Sequence, residues 1–79
     1  MTVDQWSTEP IDRQIAAILR AKIESGEYAP GDKLPSEPRL QQEHGFARDT
    51  IRHAIKLLRE ENLVVTLPGR GTFVRPRSQ

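Results

Sequence analysis

The sequence contains no cysteine, which excludes a disulfide framework and a thiolate metal site as supports for the core. Its two histidines, His44 and His53, are isolated from each other and from any cluster with ligand spacing, so no metal is expected. No apolar run approaches the roughly 20 residues that span a bilayer, and the opening MTVDQWSTEP lacks the charged-then-apolar pattern of a signal peptide. The expected location is the cytoplasm, with no membrane partner. Glycine-rich phosphate loops and nucleophiles with an obvious base are missing as well, and Glu60-Glu61 reads as a solvated pair of carboxylates near a helix end. At 79 residues the chain forms one domain, and a chain this short buries only about 60% of its unfolded surface. A large catalytic cleft is therefore not expected, nor are an enzymatic activity and a cofactor. Stability must come from packing alone.

Net charge is also nearly absent, at +1, but its distribution is uneven. Residues 1–44 carry five Lys/Arg against eight Asp/Glu, whereas residues 45–79 carry seven against three. A polyanion responds to a local patch rather than to the total, so the basic C-terminal half directs attention to nucleic acid.

Residues 1–8 are polar apart from Val3 and Trp6 and are read as an arm, with Trp6 packing against the first helix or serving a dimer contact. The first helix starts near Pro10, with Ser7 or Thr8 as its cap. Ile11, Ile15, Ile18, Leu19 and Ile23 recur at helical period and form its packing stripe. Gly26 stops it, and Tyr28-Ala29-Pro30-Gly31-Asp32 is a turn. Leu34-Pro35 is a short extended piece. Ser36 caps a second helix that tolerates Pro38 in its first turn, buries chiefly Leu40 and ends near His44-Gly45, with Phe46 packing beyond it. A third helix runs from Ala47 or Arg48 to Asn62. Its core face is Ile51, Ala54, Ile55 and Leu58; Arg48, Asp49, Arg52, His53, Lys56 and Arg59 project oppositely, and four of those six are cationic.

Leu63–Leu67 and Thr72–Arg75 then read as two strands flanking Pro68-Gly69-Arg70-Gly71, a sharp hairpin that holds Arg70 at its tip. Pro76 discourages further pairing, and residues 77–79 form a tail. The predicted architecture is mainly α with a small β-hairpin: a winged helix-turn-helix of three helices and a C-terminal two-stranded wing over residues 9–76. In such a fold the last helix enters the major groove and the preceding helix crosses the backbone.

Three ordered blocks carry a family resemblance. Leu34-Pro35-Ser36-Glu37, then Gly45-Phe46-Ala47-Arg48-Asp49-Thr50-Ile51-Arg52-His53-Ala54-Ile55, and finally Gly69-Arg70-Gly71-Thr72-Phe73-Val74 resemble the signature blocks of the GntR regulators, and the resemblance covers almost all of residues 10–75. It implies a homodimeric bacterial transcription factor, usually a repressor, on palindromic double-stranded DNA operators. The arginines matching Arg48 and Arg52 would contact DNA, and the wing block implies a minor-groove contact near Gly69 and Arg70. Two departures stand out. Ala47 replaces the usual serine at the start of the recognition helix, which removes a preferred N-cap worth ~1 kcal/mol and a phosphate hydrogen bond; either operator affinity falls or Asp49 partly replaces the cap. Pro38 occupies the place of a helix-two arginine, so Arg39 is carried over as a phosphate contact. Family members also append a metabolite-binding, dimerising C-terminal domain. Nothing of that kind follows Gln79, so the chain is expected to be an excised domain or a minimal protein, with no small-molecule effector domain of its own.

Residue by residue, Arg48 and Arg52 are the candidates for guanine O6/N7 or phosphate, because a guanidinium fork matches both; the alternative is an ion pair with Asp49 or Glu60. Arg70 is the candidate for the minor groove, together with the flanking Gly69 and Gly71. Thr50 divides between a phosphate contact and a structural role, and His53 between phosphate and solvent. Lys56 and Arg59 reach at most the DNA backbone. Ser36 and Glu37 cap the second helix, and Ser36 is also placed to bond a phosphate. The competing expectation is a winged helix whose third helix docks an acidic protein surface instead of DNA.

Overall fold

Apolar residues at a period near 3.6 build three helices that close around one core in the computed structural model, which describes residues 9–76. Helix α1 (Ile11–Glu24) begins at Pro10, whose carbonyl accepts from the Arg13 and Gln14 amides, both at 3.1 Å. The expected cap differs: Pro10 itself is the N-cap, with no side-chain cap bond. Ser7, Thr8 and Trp6, like the arm of residues 1–8 and the tail of residues 77–79, lie outside the described residues. The α1 stripe of Ile15, Ile18, Leu19 and Ile23 is buried, as is Ala16.

Helix α2 (Glu37–His44) is capped as expected. The Ser36 hydroxyl accepts from the Arg39 amide at 3.3 Å, Pro38 sits in the first turn, and Leu40 is fully buried. Helix α3 (Arg48–Glu60) buries Ile51, Ala54, Ile55 and Leu58. It stops two residues earlier than the apolar period suggested, because Asn62 turns into the left-handed region at φ 62°. There the Asn62 amide donates to Arg59 O at 2.9 Å and the Leu63 amide to Leu58 O at 3.0 Å, the reciprocal pair of bonds that closes a helix end. The start of α3 is bare: Ala47 has extended cap geometry but no side-chain cap bond is made there, so Asp49 does not replace the missing serine.

Strands β1 (Val64–Leu67) and β2 (Gly71–Val74) pair antiparallel, with Val64 opposite Val74 and Leu67 opposite Gly71. Strand β1 starts one residue later than expected and ends where expected, because the Leu63 amide is used in closing α3; β2 is displaced by one residue, since Gly71 already pairs with Leu67. The turn between them closes with the Arg70 amide donating to Leu67 O at 2.9 Å. Proline in the second position and Gly69 at φ 72° in the third suit a turn that needs one positive φ.

The Leu34-Pro35 piece has a role the sequence did not reveal. Residues 31–34 pair with the free edge of β2: Gly31 donates to Val74 O, Val74 to Asp32 O and Leu34 to Thr72 O, each at 2.8 Å, and Lys33 stands opposite Phe73. Leu34, Val64 and Val74 thereby enter one core with Ile15, Leu19, Leu40, Ile51, Ala54 and Leu58. The β2 edge of the wing is thus tied to the segment between α1 and α2.

Candidate nucleic-acid interface

Burying Ile51, Ala54, Ile55 and Leu58 fixes the rotation of α3, and the opposite side is left to solvent. Arg48, Asp49, Arg52, His53, Lys56 and Arg59 are all exposed, and Thr50 is half-buried at the margin of that face. Asp49, Arg52, His53, Lys56 and Arg59 line one shallow polar groove along the helix. Three of those five side chains are cationic and one is a carboxylate, so the groove offers an anion a row of donors on one rigid element.

The cations differ in how they are engaged. Arg48 faces Glu37 of α2 at 3.4 Å, not Asp49 or Glu60, and its side chain keeps 68% of its exposure. That weak contact joins the starts of α2 and α3 without removing Arg48 from solvent. Arg39 pairs with Glu43 at 3.1 Å, one turn along α2, and lines a separate depression with Pro38 and Gln42. Arg59 turns toward the wing: its Nη1 donates to Thr66 Oγ1 at 3.1 Å, and Thr66 Oγ1 lies 3.1 Å from Thr72 Oγ1. Among the described residues no carboxylate lies within ion-pair distance of Arg52, Lys56 or Arg70. The Ser36 hydroxyl, already accepting from Arg39 N, retains its hydrogen for donation.

At the other end of the chain, Gly69 and Arg70 are exposed at the hairpin turn and Gly71 is half-buried. The structure thus gathers Arg52, His53, Lys56 and Asp49 in one groove, sets Arg48 beside Glu37 where α2 and α3 begin and Arg70 on the wing, and leaves Arg39 outside that groove, paired with Glu43. The involvement of Arg59 with the wing was missed, since a hydroxyl partner on a later strand leaves no mark in helical periodicity. Among the described residues no group of His, Asp or Glu is arranged to hold a metal, and no helix is long and apolar enough to cross a membrane.

The sequence and the fold are similar to those of known proteins. The sequence pattern of the bacterial regulatory proteins of the gntR family matches residues 11–74. The chain is 43% identical over 67 residues to the mannosyl-D-glycerate transport/metabolism system repressor MngR of Escherichia coli K12, covering 85% of this chain and 28% of that protein. It is 41% identical over 71 residues to the histidine utilization repressor of Klebsiella aerogenes, covering 89% and 30%. The chain therefore spans less than a third of the length of these curated relatives. Among solved structures, YtrA from Sulfolobus acidocaldarius, a GntR-family transcription factor, superposes with a TM-score of 0.88 at 34% identity, over 98% of this chain and 81% of that one. AraR(DBD) in complex with an operator superposes with a TM-score of 0.84 at 33% identity, over 94% and 92%. The winged helix-turn-helix expected from the sequence is the fold of these structures.

Proposed function

Since the chain belongs to the gntR family of bacterial regulatory proteins, we propose that residues 9–76 bind double-stranded DNA sequence-specifically and serve as the operator-reading part of a transcriptional repressor in the cytoplasm. The carrying observation is the division of α3 into a buried apolar face and an exposed groove of Arg52, His53, Lys56 and Arg59. A major groove admits a helix presented in this way. Arg52 and Arg48 read guanine edges or grip phosphate, Thr50 and Lys56 contact the backbone, and His53 adds a donor. Asp49 lies at the same groove. The bidentate fork of arginine matches guanine O6/N7, which gives base choice, while phosphate contacts set register.

Helix α2 crosses the DNA backbone, with Ser36 and Arg39 donating to phosphate. The wing enters a minor groove with Arg70, where the small residues Gly69 and Gly71 let its backbone come close. Two copies on a palindrome give the half-site symmetry that such operators require, so the active form is a homodimer on DNA. The named repressor function of MngR and of the histidine utilization repressor, together with the operator in the AraR complex, supports this reading. Binding without an enzymatic step accords with a family of regulatory proteins.

The Arg48–Glu37 contact favours a second reading, a helix face neutralised in part for docking on protein. Backbone amide shifts on titration with a duplex enriched from a randomised pool separate the two. Shifts confined to the start of α2, to residues 47–56 and to residues 69–71 are the expected result; an unperturbed spectrum would favour the protein-docking alternative.

A further inference from the structure

The place where a Cβ on Gly71 would stand is occupied. An ideal Cβ there would lie 2.6 Å from Cε of Lys33 and 3.5 Å from its Nζ, and the backbone at Gly71 has φ 120°. Lys33 arrives from the extended segment between α1 and α2. It is held by the backbone: Lys33 pairs with Phe73, and the adjoining Leu34 amide donates to Thr72 O at 2.8 Å. Side chains alternate along a strand and facing residues share a side of the sheet, so Lys33, Phe73 and Gly71 lie on one face. From its place opposite Phe73, the Lys33 side chain runs diagonally to Gly71, next in sequence to Arg70.

Lys33 is exposed. Among the described residues, neither Lys33 nor Arg70 has a carboxylate within ion-pair distance. Two uncompensated cations thus share the base and turn of the wing, one of them laid over bare glycine backbone. A third donor, the Ser36 cap of α2, follows Lys33 closely in sequence. An ammonium is a strongly hydrated point charge on a flexible stem, suited to a phosphate oxygen rather than to the forked geometry of a base edge.

We propose that Lys33 is a DNA-phosphate contact of the wing, positioned by the strand segment of residues 31–34 and by the missing side chain of Gly71. The phosphate belongs to a strand bordering the groove that Arg70 enters. The inference rests on the DNA-binding reading above and adds a residue to it that lies outside both α3 and the hairpin. The positive φ is what calls for glycine at 71; the space its missing side chain leaves is where the end of the Lys33 side chain lies.

The test is the salt dependence of duplex binding by the whole chain, comparing wild type with Lys33→Gln and Lys33→Arg. Each phosphate neutralised contributes about 0.9 to the log–log slope. Lys33→Gln is expected to make the slope shallower by about that amount and to weaken binding evenly on all sequences, while Lys33→Arg retains the wild-type slope; unchanged melting temperatures verify that folding is intact. An unaltered slope in Lys33→Gln, with wild-type binding still salt-dependent, would overturn the assignment of Lys33 alone. Wild-type binding indifferent to salt would overturn the DNA-binding reading and this inference with it.

Discussion

Arg59, in the last turn of α3, donates to Thr66 on β1 at 3.1 Å, and so a cation of the groove-lining face is spent on holding the wing. Thr66 passes the link to Thr72 across the hairpin. The bond is one exposed link between helix and wing, two elements that must meet the same duplex. Thr66→Val keeps the β-branched shape and removes the hydroxyl. It should cost about 0.5–1.5 kcal/mol, the usual net worth of such a bond, and speed hydrogen exchange in residues 64–67 and 71–74. Unchanged exchange there would show that the link does not restrain the wing.

Ala47 has the extended backbone of an N-cap, φ −62° and ψ 155°, without an oxygen to offer the first turn of α3. Ala47→Ser should therefore stabilise the domain by ~1 kcal/mol, read as a higher melting temperature. Because the hydroxyl would also stand at the start of the proposed recognition helix, tighter duplex binding should accompany it. A melting temperature equal to or below the wild type would contradict the capping argument.

The two faces of α3 make opposite predictions for two residues of the same helix, Leu58 and His53. Leu58 is fully buried in the core, and Leu58→Ala should cost about 2–5 kcal/mol, a large part of the roughly 4–12 kcal/mol that a chain of this length possesses. His53 is exposed, and His53→Ala should leave stability within about 0.5 kcal/mol. Chemical denaturation of both variants decides; equal losses would mean that the helix is rotated differently.

Arg20 clamps Glu61 through two bonds, Nε to Oε1 at 2.7 Å and Nη2 to Oε2 at 2.5 Å, tying α1 to the end of α3. The hydrogen bonding from Arg20 holds the Glu61 carboxyl below its ordinary value, opposed by partial burial and assisted by the charge of Arg20. A carboxylate lowered on folding stabilises above its unfolded value, near 4.5, and that contribution disappears as pH falls through the lowered folded value. The pair is substantially exposed, 33% and 39% for its side chains, so solvent screening keeps its worth to about 0–1 kcal/mol. Glu61→Gln should be slightly less stable than wild type at neutral pH, and the gap should close in acid. A gap that persists at the acid limit would exclude ionisation as its source.

Much of this was legible in the sequence because helical packing leaves a periodic record. The stripe from Ile15 to Ile23 and the Ile51, Ala54, Ile55, Leu58 set pointed to the faces that are buried, and Pro68-Gly69 marked the turn. What escaped depends on partners far along the chain. Residues 31–34 are too few, and too close to Pro35, to show alternation, and their ladder partner is β2. The Arg48–Glu37 contact joins residues 11 apart and Arg20–Glu61 residues 41 apart, separations at which composition and periodicity say nothing. Asn62 marks the stop of α3 but stands beyond it, in the left-handed conformation that asparagine tolerates better than other non-glycine residues, so the helix ends at Glu60 rather than at Asn62.

Arg52 is exposed in the α3 groove with no carboxylate partner among the described residues, and base reading by this residue is the central claim. Its most direct test is the binding of wild type and Arg52→Ala to a selected operator and to each of its single base-pair variants. The account predicts a loss of about 1–3 kcal/mol on the operator, with discrimination relaxed at one base pair of each half-site. Equal weakening on every variant, with the pattern of base preference intact, would contradict it.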